Sequence, residues 1–112
     1  MAHKFKELQI WHRSKAFCSR IYEVTSQFPD SEKFGLTNQL RRASVSIPSN
    51  IAEGSSRKSN KDFSGLLQMA IGSAYEIETQ YLISLDLKFI SETELNDVSS
   101  ELNEIIKNDL KI

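Results

Sequence analysis

Beginning at Phe63, apolar side chains return at helical spacing for about 23 residues: Phe63, Leu66, Leu67, Ala70, Ala74, Ile77, Tyr81 and Leu85. Steps of three and four, with Leu66 and Leu67 adjacent, place these eight positions on one side of a helix, a period no β strand accommodates. At ~1.5 Å per residue the stripe runs roughly 40 Å. An amphipathic rod of that length needs long neighbours along its side, which points to a bundle rather than a compact globule. Ser59, followed three residues later by Asp62, reads as the N-terminal cap of this helix, a capping box with the shorter acid.

Three further segments fit the same architecture. From about Leu8 to Phe28, the positions Ile10, Phe17, Ile21, Val24 and Phe28 follow intervals of 7, 4, 3 and 4. Trp11, Cys18 and Tyr22 add an adjoining apolar line, and Pro29 ends the segment. After the linker Asp30–Gly35, the positions Leu36, Leu40, Ala43, Ile47 and Ile51 form a second stripe. Pro48 lies inside it and costs about 3 kcal/mol in a helix interior. A kink at Pro48 is expected rather than a break, because the stripe stays in phase across it. Gly54 is a natural stop. The polar stretch Ser55–Asn60 connects to the third helix, and Ser91-Glu92-Thr93-Glu94 forms a capping box for a fourth carrying Leu95, Val98, Leu102, Ile105 and Ile106. Short joints between four helices imply an all-α, antiparallel up-down four-helix bundle. Its second helix is expected to kink near Pro48. Residues 1–112 are one domain on this reading, with residues 1–6 mobile, and a chain of 112 residues can close one core without a disulfide or metal.

Candidates for chemistry are few. His3 and His12 are the only histidines, nine residues apart, with Cys18 a turn and a half beyond. A zinc site requires three or four closely organised ligands, so no metal is expected. Cys18 sits on an apolar line where a small hydrophobe fits, and a single cysteine excludes an intrachain disulfide. Gly35, Gly54, Gly65 and Gly72 are scattered and build no phosphate loop. No cofactor, small-molecule substrate or catalytic residue is indicated, and the chain is read as a non-enzyme. The N-terminal residues carry no apolar run, and no stretch approaches a membrane span of about 20 apolar residues. A cytoplasmic protein is therefore expected.

Two surface patterns stand out. On the second helix, Gln39, Arg42, Ser46, Asn50 and Glu53 make a polar line beside the apolar stripe. On the third, Asp62, Met69, Ser73, Glu76, Gln80 and Leu87 make a similar one. These lines, with Ile83, are either solvated flanks or a contact surface, a candidate subunit interface, where Arg41 or Arg42 meets Glu53 or Glu76 of another helix or another chain. The other pattern is a basic set: Arg13, Lys15, Arg20, Arg41, Arg42, Arg57, Lys58 and Lys61. It reads either as a phosphate-binding face or as ordinary charged surface, and no aromatic is interleaved as a base-stacking platform would require. Residues 1–61 hold eleven Lys and Arg against five Asp and Glu, a balance of +6; residues 62–112 hold three against ten, a balance of −7. The halves either neutralise each other within one bundle or meet between chains.

Several stretches together resemble the four-helix-bundle proteins encoded within intervening sequences of bacterial 23S ribosomal RNA genes. They are Phe5-Lys6-Glu7-Leu8-Gln9-Ile10-Trp11, Ile21-Tyr22 with Phe28-Pro29, Gly35-Leu36-Thr37-Asn38-Gln39-Leu40-Arg41-Arg42-Ala43, Ser46-Ile47-Pro48-Ser49-Asn50-Ile51-Ala52-Glu53-Gly54, and Ala70-Ile71-Gly72-Ser73-Ala74-Tyr75-Glu76-Ile77-Glu78. The resemblance implies an antiparallel bundle that assembles into a homo-oligomeric ring, commonly a pentamer, with no known enzymatic activity. More distantly the chain is similar to the accessory protein of diversity-generating retroelements, a strongly basic ring that binds nucleic acid and a reverse transcriptase. A ring uses heterologous contacts between two different patches, which suits a basic half facing an acidic one. The functional expectation is a self-assembling scaffold that binds another macromolecule, with RNA as the first partner class and a protein-binding adaptor as the alternative.

Overall fold

The computed structural model describes residues 4–109. Four α helices follow in order: α1 Gln9–Thr25, α2 Leu36–Ser55, α3 Asn60–Asp86 and α4 Glu92–Glu104. Short 3₁₀ turns at Phe5–Glu7 and Asp30–Glu32 precede α1 and α2, and a π turn over Ile105–Asp109 continues α4. There is no strand among the described residues. The expected mobility of residues 1–6 falls partly outside the described residues. Of the described part, Phe5 sets its ring edge-on to Trp11, with centroids 5.0 Å apart.

The caps explain where the helices start. Ser59 Oγ accepts the Asp62 amide at 3.1 Å to open α3. Ser91 and Glu94 bond reciprocally at 3.1 and 3.0 Å to open α4, satisfying two of the donors a helix start leaves unpaired. At α2 the cap is borrowed: the Glu32 carboxylate accepts the Leu36 amide at 3.0 Å. Gly35 makes room for it, since a Cβ there would stand 2.6 Å from Glu32 Oε1.

α2 continues unbroken through Pro48, so the chain does not stop at Ile47 and restart. Nor does Gly54 stop the helix, which runs one residue further. Its hydrogen atom is needed for packing, because a Cβ would meet the Phe63 ring at 2.7 Å. Gly54 therefore sets how closely the start of α3 approaches the end of α2. Further along, Ser46 Oγ lies 2.8 Å from Ser73 Oγ, so paired positions run in opposite order on the two helices. α1 ends at Thr25 rather than Phe28, but Phe28 still folds inward, its ring 5.5 Å from that of Phe89.

The core follows the stripes. Phe17 and Ile21 of α1, Leu40, Ile47 and Ile51 of α2, Ala70, Ala74 and Ile77 of α3, and Val98 and Leu102 of α4 are all buried. Tyr22, assigned from sequence to the apolar line of α1, is instead exposed, because its ring serves the surface guanidinium of Arg41.

Candidate functional site

The α2 and α3 polar lines converge. Between the helices lies an open groove of about 340 Å³ lined by Asn38, Gln39, Arg42, Ala43, Ser46, Ser73, Glu76 and Gln80. Six of the sequence-derived interface positions thus share one surface. Asn50 Nδ2 donates to the carbonyl and hydroxyl oxygens of Ser46 at 2.8 and 2.9 Å, extending the Ser46–Ser73 bond into a short polar ladder. Glu53 turns away and pairs with Arg57 one turn on, at 3.7 Å. Arg42 and Glu76 line the same groove yet make no ion pair among the described residues. Gln80 Oε1 is buried there without a donor.

Met69, Ile83 and Leu87 lie outside the groove on the solvent side of α3, where Tyr75 and Leu82 join them; Met69 is 60% exposed and Tyr75 55%. Four large apolar side chains, with Leu87 at the C-cap, thus stand exposed among Gln68, Glu76 and Thr79 on the outer face of a helix whose inner face is already core. Exposed apolar side chains gathered on one face and rimmed by polar residues mark an interaction surface. Gly65 and Gly72 sit on this outer side with nothing within 4 Å of where a Cβ would stand. Each costs about 1 kcal/mol against Ala in a helix interior, and no packing within the chain compensates. Sequence reasoning passed over these glycines, and their separation of seven residues was the signal.

The basic candidates are dispersed. Arg13 pairs with Glu104 at 3.6 Å, and Arg20 with Asp97 at 3.7 Å and Glu101 at 3.0 Å, so both face α4. The ammonium of Lys15 lies over Trp11, 5.8 Å from its centroid. Arg41 lies on Tyr22, 4.6 Å from the ring centre. Arg57, Lys58 and Lys61 surround the turn between α2 and α3. The pairs across α1 and α4 join the basic half to the acidic half within one chain, as one of the two charge readings anticipates.

Elsewhere, His12 Nε2 bonds the Lys6 carbonyl at 2.6 Å, and Cys18 Sγ accepts from Ser44 Oγ at 3.4 Å in the seam between α1 and α2. His3 lies outside the described residues. Among the described residues no group of three His, Cys, Asp or Glu side chains is placed to hold a metal, and no helix is long and apolar enough to cross a membrane. The Tyr81 hydroxyl is buried without a partner. Desolvation pushes its ionisation well above the ordinary phenol range, Glu94 adding to the shift and Arg20 opposing it.

A family model described as 23S rRNA-intervening sequence protein matches residues 6–108. The chain belongs to that family. The fold has a solved counterpart in a protein of unknown function from the S23 ribosomal protein family of Bacteroides thetaiotaomicron. The two superpose with a TM-score of 0.81 at 25% identity, covering 88% of this chain and 92% of that one. No curated protein matches the chain. The family match spans all four helices, including the residues of the α2–α3 groove and of the outer face of α3.

Proposed function

We propose that this intervening-sequence protein is a non-enzymatic cytoplasmic scaffold that assembles with copies of itself and holds another macromolecule. The observation carrying this reading is the outer face of α3, apolar and notched by two glycines that nothing in its own chain explains. Four exposed apolar residues on α3 and a fifth at its C-cap, beside a polar groove, suit an interface with an apolar centre and a polar rim. The closed assembly expected is a ring, five copies by the family resemblance, built from two different patches. RNA is the partner class proposed first, on Arg42, Lys58, Lys61 and Lys15. A protein adaptor is the second reading, favoured because Arg13, Arg20 and Arg57 are already paired with carboxylates. Native mass spectrometry of the purified chain, with absorbance at 260 and 280 nm recorded, tests both levels. Masses at multiples of 12.8 kDa with salt-sensitive RNA support the scaffold and its RNA partner. An assembly free of RNA at low salt transfers support to the adaptor. A monomer at every concentration contradicts the scaffold.

A further inference from the structure

We infer that Arg41, laid flat on Tyr22, is a socket for a carboxylate of a second copy, and that Glu76 on the neighbour's α3 fills it. The inference rests on the self-association reading above and names its contact. Arg41 is held from the inside by neutral oxygens alone. Its Nε donates to Thr25 Oγ1 at 2.9 Å and its Nη2 to the Tyr22 carbonyl at 3.3 Å. Thr25 is buried and anchored in turn, donating its hydroxyl to the Ile21 carbonyl at 2.7 Å. These bonds use two of the five N–H donors of a guanidinium and leave the rest on its outer edge. Arg13, Arg20 and Arg57 each find a carboxylate, whereas Arg41 has none among the described residues. A half-buried, oriented guanidinium without a counter-charge is a fork set for a planar oxyanion.

Charge and surroundings select the source of that oxyanion. A polyanion meets a net charge of −1, and the +6 of the half that holds Arg41 is partly met within the chain by carboxylates of α4. A second copy supplies the acid from its −7 half. Glu76 is exposed and makes no ion pair among the described residues, and it shares the outer line of α3 with Met69 and Ile83, seven residues to either side. Around Arg41, exposed Tyr22 and Val45 form a comparable apolar rim. Arg41 within its apolar rim, and Glu76 between Tyr75 and the polar Ser73, Thr79 and Gln80, match an ion pair that is partly dried when the patches close. The patches differ, so the contact is heterologous and can propagate around a ring.

The test uses charge reversal in the full chain, followed by sedimentation velocity. Arg41→Glu and Glu76→Arg should each weaken association about tenfold or more. An equimolar mixture of the two should recover most of it, since every junction between unlike chains pairs opposite charges and a ring of five need keep only one junction between like chains. Damage confined to one chain cannot be repaired by mixing. If Arg41→Glu loses helical content, Arg41→Gln and Glu76→Gln replace the reversals in a cycle. The double variant should then be no weaker than either single one. Reversed chains that assemble like wild type, or a mixture no better than its components, overturn the contact while leaving self-association standing. A monomeric wild type overturns both. A labelled single-stranded RNA forms the last arm. If Arg41→Glu abolishes its retention and leaves assembly unchanged, the fork serves phosphate and the inference falls.

Discussion

Tyr81 and Arg41 show how single residues carry costs that their neighbours do not explain. Tyr81 fills the core with its ring while its hydroxyl is left without a partner, and a buried unpaired polar group costs about 1–3 kcal/mol. Tyr81→Phe should therefore leave stability unchanged or raise it by about 1 kcal/mol in urea unfolding at neutral pH. The folded state holds the phenol protonated, so its contribution is complete below the unfolded pKa of about 10 and is lost as pH rises beyond it. The wild type should lose stability relative to Tyr81→Phe above about pH 10, and parallel pH profiles would contradict this. Tyr81 was legible as core from its place in the stripe, but its missing partner was not, because hydrogen bonding depends on elements distant in sequence. Tyr22 was misplaced for the same reason. Only the approach of Arg41 from the next helix makes an exposed tyrosine useful.

At the scale of the helix, α3 read most clearly in the sequence and yet held the most information the sequence withheld. Its inner stripe, its Ser59 cap and its length follow from local pattern. The groove was partly legible, since the two polar lines had the right period to face each other once α2 and α3 packed side by side. Which outer residues stay uncovered depends on where α2 and α4 lie, and periodicity is silent on that. Gly72 separates the two levels. Gly72→Ala should raise the stability of the dissociated chain by about 1 kcal/mol, because helix propensity improves and the site is open. The same methyl group should weaken assembly if another helix crosses there. Urea titration at low concentration and sedimentation at high concentration should thus move in opposite directions. An increase in both would place the crossing elsewhere.

For the molecule as a whole, the charge halves meet within the chain and, in the proposed assembly, between chains as well. Arg13 and Arg20 bind α4 to α1 within the chain, through exposed pairs worth about 0–1 kcal/mol each. Arg41, Arg42 and Glu76 remain outside that intrachain pairing. In the proposed assembly such pairs confer direction but little strength, so the contact energy is expected from the outer face of α3. Substituting Asp at both Met69 and Ile83 tests this most directly, since the two side chains are exposed in the single chain and aspartate there should leave its helices intact. Sedimentation velocity of the Met69→Asp, Ile83→Asp chain, with far-UV circular dichroism on the same sample, should show a fully helical monomer of 12.8 kDa where the wild type assembles. A doubly substituted chain that assembles as tightly as wild type would show that the outer face of α3 is not where the copies meet.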